Sequence, residues 1–244
     1  MPIPCNVLIN ADDLGLSAPI NEAIAYCFDL KYINSTSLLT NMPGFDHAIG
    51  LIATNDNIRN IGVHINFAEG KPLSSFKEKL FLKDDGSWDT ALTNKKTGRL
   101  SDSQKEAFLA EIYAQIDKAL QHDVYVTHLD SHYHLHTLPC FYLLFIKAAT
   151  RYKLKLRLAQ TYREGSCLKY FYRKYINARI ISRGLNYTTY FETVNVYLSN
   201  NGEQGRCVEV MVHPGFDSAG SLTDHYNPSS LLNWLNFVKT GLAH

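Results

Sequence analysis

The sequence predicts an α/β protein with parallel strands whose carboxyl ends converge, as they do in a barrel. Short apolar runs alternate with segments of helical periodicity, the pattern of βα units around parallel strands. The chain is 244 residues long, and α/β barrels often run to about 250 residues as one domain. Residues able to bind metal or move protons recur where the apolar runs stop, and the carboxyl ends of parallel strands are where active sites assemble.

Taken in order, Cys5 to Ala11 is a short apolar run and reads as a buried first strand. Ser17 stands as an N-cap with Pro19 in the first turn, and Ile20, Ala23, Ile24, Cys27 and Phe28 follow at helical spacing. Ser35 to Leu39 reads as a strand and Asp46 to Ile52 as a short helix. In 61–66, Ile61, Val63 and Ile65 alternate with Gly62, His64 and Asn66, the two-residue period of a strand. Residues 69–102 are polar and lack a period, so a long loop or lid is expected. Ser101-x-x-Gln104 is a capping box and opens a helix with Leu109, Ile112, Ile116 and Leu120 on one stripe. Val124 to Asp130 is strand-like, 141–150 helix-like, and Lys155 to Ala159 and Cys207 to His213 read as further strands. The stretch 160–206 is the least legible. It interleaves basic side chains such as Arg163, Lys169, Arg173 and Lys174 with Tyr162, Tyr170, Phe171 and Tyr175, and a solvated helix face is the preferred reading over a nucleic-acid or sugar surface.

Composition narrows the function classes. Hydrophobic residues make up 45% and charged residues 19% of the chain, ordinary for a protein with a real core. A formal net charge of +1 gives no electrostatic case for nucleic acid or an anionic membrane. No apolar run reaches the roughly 18 residues a spanning helix needs. MPIPCNVLINADD lacks a basic stretch followed by an apolar one, so it reads as a strand and not as a signal peptide. Five scattered cysteines without a C-x-x-C argue against a disulfide framework or thiolate zinc site, and a cytoplasmic location is expected.

Four constellations carry chemistry. Asp12 and Asp13 sit where the first strand ends. Adjacent side chains at a strand end diverge, so one carboxylate can bind metal while the other handles protons; read alone, the pair equally suits a helix cap. His64 points away from the apolar face of its strand, and by itself it is more often a structural histidine than a ligand. His128, Asp130, His132, His134 and His136 occupy alternate positions in nine residues, and an extended chain would put all five on one side. Four imidazoles make a poor core and a poor generic surface, so metal binding or catalysis is favoured, with an Asp available to fix a ring's tautomer. His213 ends an apolar strand before Pro214-Gly215. One carboxylate and two imidazoles would leave coordination positions open for water and substrate, as a catalytic metal requires.

These residues resemble the YdjC-like carbohydrate deacetylases, which include chitooligosaccharide deacetylases. The resemblance rests on Asn10-Ala-Asp-Asp-Leu-Gly-Leu-Ser17, Gly62-Val-His64, Gly70-Lys-Pro-Leu73, Thr127-His-Leu-Asp-Ser-His-Tyr-His-Leu-His136 and Glu209-Val-Met-Val-His-Pro-Gly215, in matching order and spacing. It covers about Ile3 to Ala159 and Cys207 to Phe216. It implies a distorted (β/α) TIM-like barrel in a single domain over 1–244, one divalent metal ion (zinc or magnesium foremost) and hydrolysis of an acetamido group on a sugar or oligosaccharide. It further implies Asp13, His64 and His132 as metal ligands, Asp12 as general base and His213 as general acid. His128, Asp130 and His136 would support these residues or touch substrate. Arg157, at a later strand, reads equally as a side chain that orients Asp12 by a charge-assisted hydrogen bond or as an exposed strand-end arginine. A homodimer is compatible with this reading. The competing readings are hydrolysis of another amide or a phosphoester at the same centre, and a carbohydrate-binding relative without turnover. Leu14 departs from the family's usual Phe after the Asp pair.

Overall fold

The computed structural model describes residues 3–95, 98–200 and 206–240. Its centre is a curled sheet of seven parallel strands in the order β5-β4-β3-β2-β1-β7-β6, a TIM-like half-barrel flanked by helices. The expected α/β barrel is therefore present in an open, distorted form. The strands are β1 (Val7–Leu14), β2 (Ser35–Leu38), β3 (Ile61–Ile65), β4 (Val126–Ser131), β5 (Lys155–Leu156), β6 (Tyr190–Thr193) and β7 (Val208–Val212). Because all run in one direction, their carboxyl ends share one edge of the sheet.

Helices α1 (Ala18–Asp29), α2 (Phe45–Thr54), the single turn α3 (Thr90–Thr93), α4 (Asp102–Gln121), α5 (Tyr142–Tyr152), α6 (Cys167–Ile181), α7 (Val194–Ser199) and α8 (Pro228–Thr240) connect and cover the strands. Ser17 does precede α1, but its side chain makes no cap bond. The capping box of α4 forms as expected: Gln104 N donates to Ser101 Oγ and Ser101 N to Gln104 Oε1. Its apolar stripe ends earlier than expected, since Leu120 is exposed and Ala119 takes the buried place. β5 stops at Leu156, short of the expected Ala159. Arg157 N still donates to Leu129 O, but beyond it the chain turns in to pair Ala159 with the Asn177 side chain of α6.

The described residues of the 69–102 stretch are mostly loop, with a 3₁₀ turn at Lys79–Phe81 and α3. Buried Trp88 anchors it among Phe67, Phe76 and Phe108. Its start is tied by buried Glu111 of α4, whose carboxylate accepts from Leu73 N, Ser74 N and Gln115 Nε2. A two-stranded antiparallel hairpin, β8 (Pro214–Phe216) and β9 (Leu222–Asp224), follows β7 directly and brings Asp224 opposite Pro214. Among the described residues no helix is long and apolar enough to cross a membrane.

Candidate metal centre and active site

The Asp pair sits on a bulge. β1 pairs with β2 at Ala11↔Thr36 and again at Leu14↔Leu38, so Asp12 and Asp13 together oppose Ser37 alone. Asp13 takes a left-handed backbone, φ 72°, unusual for a residue with a side chain. In a regular strand the two carboxylates would diverge, as the sequence suggests. Here both reach His64 of β3: its Nε2 lies 3.4 Å from Asp13 Oδ1 and 3.9 Å from Asp12 Oδ2.

The histidine run is not extended, which corrects the one-sided array expected from alternate positions. β4 ends at Ser131, and the chain then turns tightly with Tyr133 (φ 51°) and His134 (φ 55°) both left-handed. Two such residues in succession cost of order 1–2 kcal/mol each. The turn delivers His132 to Asp13, with Nδ1 3.0 Å from Oδ1. It sends His136 inward, where its Nδ1 and backbone N both meet Ser131 Oγ. His128 stays within the sheet, stacked on Tyr187 and packed against Gly62, and burial pushes its imidazole down to about 4. Neither His128 nor His136 lines the site cavity. Asp130 does meet the centre: it faces His64 Nδ1 at 2.7 Å. That contact orients the ring, with Nδ1 on Asp130 and Nε2 toward Asp13, the carboxylate–histidine arrangement of many metal sites.

Among the described residues two carboxylate–histidine groups are compact enough to hold a cation: Asp13 with His64 and His132, and Asp12 with His64 and Asp130. The second already contains one. Arg157, fully buried, donates from Nη1 to Asp12 Oδ2 (2.7 Å) and from Nη2 to Asp12 Oδ1 (2.6 Å), pairs with Asp130 Oδ2 at 2.7 Å, and donates from Nε to Glu209 Oε1 at 2.6 Å. Among the described residues Asp13 has no such cationic clamp. Both of its oxygens are buried without a hydrogen bond in good geometry, a costly state for an anion. The donor set of one carboxylate oxygen and two imidazole nitrogens therefore fits a divalent ion at Asp13, His64 and His132, and the guanidinium disfavours one at Asp12 and Asp130.

The electrostatics separate the two Asp further. Burial alone would raise the Asp12 carboxyl, but the Arg157 charge and hydrogen bonds, with His64, hold it below the usual range. Burial likewise opposes ionisation of Asp13, and His132, His225 and His64 around it outweigh that and hold it well below. His132 lies between Asp13 and Glu69, 3.7 Å from Glu69 Oε1; burial works against its charge, yet the two carboxylates push it up to about 9. Glu209 is the weakest acid of the cluster, raised by burial to about 7 despite Arg157.

His213 follows β7 and lines the same cavity. Asp224 Oδ2 accepts from His213 N at 2.8 Å and faces Nδ1 at 3.5 Å. Burial disfavours the charged ring, but Asp224, with Asp12 and Asp13, raises its pKa above the ordinary value. The cavity, about 230 Å³, is lined by Asp12, His64, Ser131, His132, His213 and Tyr226, among others. Sequence reasoning missed Glu69, Asp224, His225 and Tyr226. Asp224 and His225 lie 11 and 12 residues beyond His213 in a polar segment with no period, and only the hairpin register brings them back.

An α/β half-barrel with a buried Asp-His-His group at the carboxyl ends of its strands, flanked by a clamped carboxylate and a clamped histidine, defines a class of proteins built around a candidate metal centre. Within that class the chain belongs to the YdjC-like protein family, whose profile matches residues 6–235. A carbohydrate deacetylase of Vibrio cholerae is 29% identical over 211 residues, covering 86% of this chain and 78% of its own length. A carbohydrate deacetylase of Halalkalibacterium halodurans is 28% identical over 214 residues, covering 86% and 85%. Among solved structures, an Enterococcus faecalis protein provisionally named for cellobiose-phosphate cleavage superimposes with a TM-score of 0.68 at 19% identity, over 87% of this chain and 82% of that one. The lactam utilization protein of Thermus thermophilus gives 0.50 at 13% identity over 97% of each. At these identities the structural likenesses speak to the fold alone.

Proposed function

We propose that this protein is a metal-dependent hydrolase that removes N-acetyl groups from acetylated amino sugars or oligosaccharides. The observation that carries this reading is the shared cavity: Asp12 and His213 line it beside His64 and His132, each held by its own buried partner, Arg157 and Asp224. The names of the relatives support a carbohydrate substrate.

In this reading Asp13, His64 and His132 hold one divalent ion, zinc before magnesium, since two imidazoles and a carboxylate suit the softer metal. Such an ion supplies a polarised acetyl carbonyl and a water acidified, for zinc, towards about 7. Asp12 accepts the proton of the water that attacks the acetyl carbon. Arg157 keeps Asp12 ionised and fixes its orientation by the paired bonds to both oxygens. His213 starts protonated, stabilised by Asp224, and gives its proton to the nitrogen as the C–N bond breaks. Acetate and the free amine leave. Each positioned proton carrier of this kind contributes about 10²–10⁴-fold.

We take residues 1–244 as one domain, with 69–102 as a lid whose first residue, Glu69, reaches the centre. The five unpaired cysteines suit a reducing cytoplasm. The test is acetate release from short acetylated amino-sugar oligomers by the metal-loaded protein. Asp12→Asn is expected to abolish release while keeping the metal. Full activity in Asp12→Asn would make the base assignment wrong, and phosphate release from phosphoesters without acetate release would overturn the reaction class.

A further inference from the structure

The buried carboxylate of Asp13 has two oxygens in different company. Oδ1 faces His132 Nδ1 and His64 Nε2, the two rings of the metal-binding group. Oδ2 faces His225 Nε2 at 3.3 Å. Neither Oδ2 nor His225 Nε2 has a made hydrogen bond among the described residues, and both are buried atoms. At 3.3 Å the two are ion-pair partners, within hydrogen-bond reach once Nε2–H is turned onto Oδ2.

His225 is not placed there by chance contact of a loose loop. It follows β9, and its backbone N donates to His213 O at 3.0 Å. The preceding Asp224 is fully buried and accepts from His213 N, Tyr226 N and Asn227 N, so the backbone on both sides of His225 is fixed. The ring itself rests against Tyr226, with centroids 4.4 Å apart, and against His213 at 5.6 Å. One hairpin therefore grips the proposed acid with Asp224 and reaches the proposed metal ligand with His225.

We propose that His225 is a positioning residue of the metal centre: its Nε2–H holds the outer oxygen of Asp13 and leaves Oδ1 as the oxygen presented with His64 and His132. The inference rests on the metal-site reading above and adds a residue to it. Asp13 needs this help because the strand bulge sets its backbone but not its side-chain rotation. Arg157 fixes the rotation of Asp12, and His225 is the counterpart for Asp13. Partners of this kind, bonded to a ligand and not to the metal, typically change metal affinity 10–100-fold when removed.

The test compares zinc affinity, by competition with a chromogenic chelator, in the wild type and three variants. His225→Ala and His225→Phe lack the donor, Phe retaining the ring contacts with Tyr226 and His213. His225→Gln places an amide N–H close to the lost Nε2. The expected result is zinc dissociation constants raised about 10–100-fold in Ala and Phe, with most of the loss recovered in Gln. The cobalt-loaded proteins provide a second readout, a visible absorption band altered in Ala and Phe and restored in Gln. Wild-type affinity in His225→Phe overturns the proposal, and so does a Gln variant as weak as Phe. If Ala does not fold, Phe and Gln decide. A wild type that takes up no zinc or cobalt would refute the metal-site reading itself, a result distinct from failure of the His225 assignment.

Discussion

Arg157→Met removes the one cation that three buried carboxylates share. Asp12 loses two hydrogen bonds, Asp130 an ion pair at 2.7 Å, and Glu209 the 2.6 Å bond to its Oε1. Stripping one partner from a buried ion pair costs about 3–5 kcal/mol, because the remaining charge is left in a poorly polarisable interior. For a protein of this size about 1 kcal/mol moves the midpoint by about 2–4 °C, so a fall of roughly 6–20 °C is expected. The pH dependence has a definite sign. In the wild type Asp12 and Asp130 have depressed folded-state pKa values, so their contribution is complete above the unfolded carboxylate range and fades only as pH falls below it. In the variant, burial without the guanidinium raises the same groups. Their penalty is then greatest at neutral pH and fades as they protonate in acid. Thermal and denaturant unfolding of both proteins at pH 7 and pH 5 should show the deficit shrinking at the lower pH. A midpoint shift within about 2 °C, or a deficit that grows in acid down to pH 5, would refute the reasoning. Arg157→Lys keeps a charge but not the planar fork, so it should recover part of the stability and little of the acetate release.

Three further perturbations probe separate parts of the account. Asp224→Asn removes the negative charge that raises His213, so the alkaline limb of the rate profile should move to lower pH; an unmoved limb would show that His213 is not the acid. Gly62→Ala drives a methyl into the His128 ring, which Tyr187 backs from the far side, and calorimetry should find a loss of about 1–3 kcal/mol. Glu111→Ala leaves Leu73 N and Ser74 N without their carboxylate, and limited proteolysis should cut within residues 73–95 faster than in the wild type, while an unchanged rate would show the tie to be dispensable.

Much of this was legible from residues alone, and the reasons for the gaps are physical. The strands and helices follow from apolar period and caps, as at Ile61–Ile65 and at the Ser101–Gln104 box. Asp12, Asp13, His64 and His213 stood out because polar residues close apolar runs. The bulge that turns both Asp inward was hidden, since no glycine marks it and Asp13 itself takes the left-handed backbone. The same cause hid the division of the histidine run: Tyr133 and His134 adopt positive φ where the sequence offers no turn residue, so alternate spacing suggested one face and the fold made two. Glu111 and Gln115 look like solvated helix positions, yet they face inward to serve backbone groups of the 66–74 segment. Asp224 and His225 depend on a hairpin register that side-chain chemistry does not announce.

The central claim is that Asp13, His64 and His132 hold one divalent ion that acetamide hydrolysis requires. Stripped protein should be titrated with zinc while acetate release from an acetylated amino-sugar oligomer is followed in the same samples. The account predicts activity that rises linearly and saturates at one zinc per chain, with Asp13→Ala and His132→Ala binding little metal and releasing no acetate. Acetate release by the stripped protein, or full zinc binding and turnover in Asp13→Ala, would contradict it.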